Sequence, residues 1–216
     1  MQIHELKEIL KAAAIAAGLT EYEIYYSRET SISAETLKEE ISAFASSVGA
    51  GICFRCIVDG KMGYASTERM EAEEMEDLVR RAIENATYQD YDDEVFIYEG
   101  AEEYPTVTAV VPEMPTAAAL KDAALAIQKN TYAASEHVTD GTQSSTFAFA
   151  SEILISNSHG LELENRIGNV ACFAESVVKV GDDSQFSYEM AEGIAPEDYA
   201  EISKIATERA LRKIGA

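Results

Sequence analysis

Apolar positions change their period several times along the chain, and each change marks an element. Ile3, Leu6, Leu10, Ala13, Ala14 and Ala17 recur at helical spacing, with Gly18 placed to stop the helix. From Glu21 to Ile32 the pattern alternates, Tyr22, Ile24 and Tyr26 apolar between Glu21, Glu23, Ser27 and Glu29, which predicts a half-buried strand. Ala34 to Val48 fits a helix through Leu37, Ile41 and Phe44 and also a strand; a strand is preferred. Gly49 to Thr67 then carries Ile52, Phe54, Ile57 and Val58 up to Asp59-Gly60, with Met62, Tyr64 and Ser66 beyond. That is the pattern of a β-hairpin, because Gly60 accepts the positive φ a two-residue turn demands. A helix comes next, with Met75, Leu78, Val79, Ala82, Ile83 and Ala86 on one face.

Tyr88 to Pro115 is acidic and then interrupted by Pro105, Pro112 and Pro115, so it reads as a boundary. Beyond it a helix carries Leu120, Ala124 and Ile127 on one face. Strands are expected at Thr146–Ala150, Glu152–Ser156, Leu161–Val180 and Gln185–Met190, with turns at Asn157–Gly160 and Gly181–Asp183. Pro196 opens a last helix, Glu197–Ile214, with Tyr199, Ile202, Ala206 and Ala210 inward. Both halves therefore read helix, antiparallel strands, helix. The expected fold class is α+β, in two domains at 1–100 and 101–216.

Charge narrows the function. The 216 residues carry a formal net charge of −22, and the densest basic cluster is Arg209, Arg212 and Lys213 near a helix end. Such a surface repels phosphate backbones and anionic lipid, so neither direct nucleic-acid binding nor a membrane role is expected. No apolar run approaches the ~20 residues of a spanning helix, and the first residues lack a secretory layout. Three cysteines form an odd, sparse set, and the expected location is cytoplasmic.

Each candidate for chemistry has a plainer alternative. Cys53-Phe-Arg-Cys56 falls within a strand, where residues three apart point to opposite faces, so two inert thiols are expected rather than a redox pair. A zinc site would need Cys172 and histidines that lack paired spacing. His4-Glu5 begins like HExxH, but the fifth position is Glu8. His137 is expected to open a strand. Ser158 beside His159 in a turn suggests a nucleophile and base, yet adjacent turn residues seldom face each other. Gly49-Ala-Gly51 lacks the helix of a phosphate loop, and the Glu-rich start of the helix after Thr67 reads as a solvated face. No catalytic, metal or cofactor-binding residue is assigned, and substrate-binding residues stay unassigned.

The ordered set Gly51-x-x-x-Arg55, Asp59-Gly-Lys-Met-Gly63-Tyr-Ala-Ser-Thr67 and Leu78-Val-Arg-Arg-Ala82-Ile-Glu-Asn-Ala86 resembles the TldD/PmbA family, whose members are often labelled modulators of DNA gyrase. Ile155-Ser-Asn-Ser158-His-Gly160 and the closing Ala-rich helix are similar to that family's middle region. The Ala65-Ser-Thr67 ending and the acidic Tyr88–Tyr104 stretch resemble the PmbA (TldE) branch. The resemblance implies a zinc-dependent peptidase system in which TldD-type and TldE-type subunits enclose a chamber and cleave unfolded peptides. The family's HExxxH and further metal ligand belong to its carboxy-terminal half and have no counterpart before Ala216. The role this implies is that of a non-catalytic amino-terminal portion that helps form the chamber and assemble subunits, with a TldD-type subunit or a second copy as partner. Zinc is then expected only in the TldD-type catalytic partner, with no cofactor in this chain. The alternative is a freestanding peptide- or protein-binding regulatory domain. In either case an extended peptide could pair with a free sheet edge through backbone bonds, and the acidic surface would favour basic peptides.

Overall fold

A computed structural model describes residues 3–90, 93–108 and 111–216. Tyr91, Asp92, Ala109 and Val110, all within the expected boundary at Tyr88–Pro115, lie outside the described residues. The elements run α1 (Ile3–Ala16), β1 (Tyr22–Leu37), β2 (Glu40–Val58), β3 (Lys61–Thr67), α2 (Ala72–Thr87), α3 (Ala117–Ala134), β4 (Gln143–Asn157), β5 (Glu162–Val180), β6 (Asp183–Glu192) and α4 (Pro196–Leu211). The six strands form one antiparallel sheet in the order β3-β2-β1-β4-β5-β6. The α+β class and the helix–strands–helix order of each half are therefore as the sequence predicts.

The compact units interleave along the chain, because the long strands contribute to both. One unit comprises Met1–Glu29, Val48–Ala109 and Ser151–Ile167, the other Thr30–Ser47, Val110–Ala150 and Gly168–Ala216. They divide the molecule in space, where the 1–100 and 101–216 division runs along the sequence.

In the first unit α1 and α2 cover one sheet face. Leu6, Leu10 and Ala14 of α1 and Met75, Leu78, Val79 and Ala82 of α2 pack on Ile24, Ile52, Phe54 and Leu154. Asp59-Gly60 forms the expected two-residue turn: Val58 pairs with Lys61, and φ is 51° at Asp59 and 75° at Gly60. Gly63 lets α2 approach β3 closely, since a Cβ there would lie 1.9 Å from the Ala82 carbonyl oxygen. Arg80 pairs with Asp77 and Glu84, and the Asp77–Arg81 pair forms at 3.0 Å. Three and four residues apart are equally neighbours on a helix, so the partner is a matter of rotamer.

An ionic cluster ties α1 to β5. Glu162 accepts from Lys7 Nζ at 2.8 Å, from Lys11 Nζ, and from the buried Ser156 hydroxyl at 2.8 Å. Burial alone would push this carboxyl up, but the bonds from Lys11, Lys7 and Ser156 outweigh it and hold the pKa down at about 2. A depressed carboxylate stabilises the fold fully above its unfolded value of 4.5, and that contribution is lost as pH falls towards 2. Because the side chain is 42% exposed, screening leaves at most ~1 kcal/mol. Urea titrations between pH 5 and pH 2 should show a fall in stability that is shallower in Glu162→Gln; an identical fall in the variant would assign it to other carboxylates.

In the second unit α3 and α4 pack together on the sheet through Ala123, Ile127, Cys172, Ala174, Tyr199, Ile202 and Ala206. The Thr116 hydroxyl caps α3 by accepting from Ala119 N–H at 3.2 Å. Ala34–Val48, read as strand in preference to helix, contains the end of β1, the turn Lys38-Glu39 and the start of β2. Both turn residues have positive φ, 53° and 63°, without being glycine. Gln128 of α3 fastens this turn: its Oε1 accepts from Glu39 N–H at 2.8 Å and its Nε2 donates to the Thr142 carbonyl at 2.9 Å. The two strands expected at 146–150 and 152–156 are one, β4.

Candidate functional site

The sequence's candidates for chemistry are dispersed. Cys56 is buried and Cys53 only half-buried, on opposite faces of β2, while Cys172 is buried in β5. Burial pushes all three thiols up, Cys56 to about 11, so none is an activated nucleophile. His137 does not open a strand; it lies in a turn before a single bridge between Val138 and Val178. Its carbonyl and the Thr139 N–H bond β5, at Lys179 and Val177, so only an isolated rung forms there. His4 on α1 lies 3.5 Å from Glu164.

The Asn157–Gly160 turn is a clasp within the first unit. Asn157 Oδ1 accepts from the N–H groups of His159 (3.0 Å) and Leu161 (3.2 Å), and its Nδ2 donates to the Tyr98 carbonyl at 2.7 Å. The Ser158 hydroxyl accepts from Tyr22 N–H at 3.1 Å, and Ser158 N–H donates to the Tyr22 carbonyl at 2.9 Å. His159 Nε2 meets the Glu21 carboxylate at 2.9 Å. Ser158 and His159 are thus each engaged with β1 or its approach, and neither is oriented on the other as nucleophile and base. A zinc site does not fit these residues: among the described residues no group of three His, Cys, Asp or Glu side chains converges.

Clefts open in both units among the described residues. In the first unit a largely apolar cleft of about 400 Å³ lies between Tyr104, Pro105 and Val107 and the strand residues Ile153, Ile155 and Leu163. In the second unit a groove of about 350 Å³ between α3 and α4 is lined by Ala133, Ala134, Ala200 and Lys204 among others. A second cleft of about 350 Å³ opens there on the face away from α3 and α4, with Glu35, Gln143, Phe173, Glu175 and Tyr188 in its wall. Beside it Phe147, Phe149 and Phe173 stack at centroid separations of 6.4 and 5.8 Å. Register joins this face to the edge strand, Phe173 opposite Met190 and Glu175 opposite Tyr188. Sequence reasoning did not bring these residues together. The available signal was the large side chain at every second position of Phe186-Ser-Tyr188-Glu-Met190, all three exposed.

No helix among the described residues is long and apolar enough to cross a membrane. Comparison with known proteins places the chain. Residues 22–86 match the model of PmbA/TldA metallopeptidase domain 1, and residues 111–214 match that of the PmbA/TldA metallopeptidase central domain. No curated protein sequence matches. Among solved structures, a candidate modulator of a DNA gyrase from Thermotoga maritima MSB8 superposes with a TM-score of 0.84 at 21% identity, over 100% of this chain and 49% of that one. TldE from Thermococcus kodakarensis gives 0.80 at 19% identity, over 96% of this chain and 46% of that one. A candidate modulator of DNA gyrase from Bacteroides thetaiotaomicron VPI-5482 gives 0.84 at 18%, over 98% and 50%. At these identities the structures establish the shared fold, and the chain spans about half the length of each. The two domain models cover most of the sequence in the family's order, and the chain belongs to the PmbA/TldA metallopeptidase family.

Proposed function

We propose that this chain serves a TldD/PmbA-type zinc metallopeptidase system as a non-catalytic part, forming chamber wall and holding the subunits that process unfolded peptides. The observation that carries this is the use made of the motif residues. Gly63 seats α2, and Asn157, Ser158 and His159 fasten β1 to the β4–β5 turn. Motif residues spent on assembly of the fold suit a scaffold. The fold shared with TldE supports the same role. Zinc and peptide-bond hydrolysis then belong to a TldD-type partner subunit.

The test combines association with activity. The isolated chain should leave unfolded casein uncleaved and should co-elute with a TldD-type subunit on size exclusion. Casein cleavage by the mixture should disappear on zinc chelation and return with zinc. Cleavage by the chain alone, or failure to associate with any TldD-type subunit tried, would overturn the proposal. The latter result would favour the freestanding regulatory domain.

A further inference from the structure

We propose that the outer edge of β6, with the cleft beside it, is a docking strip for an extended peptide segment that carries a Lys or Arg side chain. The assignment deepens the peptide-handling role proposed above and rests on it.

β6 is a terminal strand of the sheet. Its two-residue loop pairs Val180 with Asp183, so odd-numbered residues turn their backbone groups towards β5 and even-numbered ones turn them outwards. Two side-chain bonds agree: the Phe186 carbonyl accepts from Lys213 Nζ at 2.7 Å, and Met190 N–H donates to the Glu189 carboxylate at 3.1 Å. The ends of the outward row are thus partly occupied, while Tyr188, 61% exposed, lies between them with its N–H and C=O on the outward side. That is the arrangement onto which a short strand adds.

The side chains specify what kind of strand. Phe186, Tyr188 and Met190 are 57%, 61% and 43% exposed, a continuous apolar row on an edge. The adjoining cleft of about 350 Å³ is lined by Glu35 and Glu175 together with Phe173 and Tyr188. Carboxylates with aromatic faces match an ammonium or guanidinium. The chain already places one of its own cations on this row, Lys213 Nζ lying 5.6 Å from the centre of the Phe186 ring. A net charge of −22 draws in cationic segments and opposes a second copy of the chain, which would bring the same carboxylates. The stretch of β2 that β3 does not pair, Glu40–Gly51, is also largely exposed, but its one aromatic ring, Phe44, is already covered by Lys121.

The experiment measures fluorescence anisotropy of the isolated chain with a labelled, end-blocked nonapeptide of alanine and serine with one central arginine. Replacing that arginine by citrulline should weaken binding about tenfold or more. N-methylating alternate residues should abolish binding for one of the two possible sets and spare the other. The Glu35→Gln/Glu175→Gln variant should lose as much affinity as the citrulline peptide, with no further loss when the two are combined. Ala45→Lys, on the exposed part of β2, should change nothing beyond twofold. Absence of binding, equal binding of arginine and citrulline peptides, indifference to both methylation sets, or abolition by Ala45→Lys would each overturn the proposal. No partner subunit is present, so failure here is separable from failure of the association assay above.

Discussion

Gly63→Ala is expected to destabilise the first unit by about 3 kcal/mol or more. A Cβ at this position would lie 1.9 Å from the Ala82 carbonyl oxygen, 2.8 Å from Ala86 Cβ and 2.9 Å from Ala86 N. Two of these three atoms are helix backbone, so no rotamer change relieves the clash. α2 must lift away from β3 and loosen Met75, Leu78, Val79 and Ala82 from the core they share with Ile52 and Phe54. Urea unfolding of the variant should show a much lower midpoint. Gly49→Ala is the control: nothing lies within 4 Å of its added methyl, and its φ is not positive. That variant should stay within ~0.5 kcal/mol of the parent, a surface-sized effect. Equal midpoints for both variants would mean that the close α2–β3 approach contributes nothing to stability.

Gln128→Leu should cost about 2–3 kcal/mol although the replacement is apolar and similar in size. Gln128 is fully buried and satisfies two backbone groups at once, the Glu39 N–H and the carbonyl of the buried Thr142. Leucine would leave the carbonyl unpaired in the interior and release a turn whose two residues are held at positive φ. The turn provides an internal check. Glu39→Gly removes the conformational strain, so it should recover about 1 kcal/mol of the loss in the double variant. If Glu39→Gly recovers nothing, Gln128 acts through Thr142 alone.

Local chemistry in the sequence was enough for several joints of the fold. Asp59-Gly60 specifies a two-residue turn because only a few residues tolerate positive φ, and the register Val58 to Lys61 follows from it. Pro196 opens α4, Gly18 with φ of 75° closes α1, and the 3.6-residue period of Met75 to Ala86 sets the buried face of α2. The family resemblance, too, is carried by the order of the motifs along the chain.

What the sequence withheld depends on partners far away in the chain. A period of two says which residues of a strand share a face, but not which strand lies alongside, so β6 could not be recognised as an edge. For the same reason periodicity gave Ala34–Val48 only a preference for strand over helix, and the pairing of β1 with β2 settles it. β4 runs unbroken through polar Ser151-Glu152 because long-range pairing, rather than local hydrophobicity, extends a strand. Ser158 and His159 look catalytic as neighbours in a turn, but Tyr22 and Glu21, more than 130 residues earlier, engage them. Glu35, Phe173, Glu175 and Tyr188 come from three strands. By itself the sequence determined turns, helix faces, strand alternation and charge. Tertiary pairing alone decided the strand order, the free edge and the convergence of those side chains, because each is a non-local contact with no signature in the neighbouring residues.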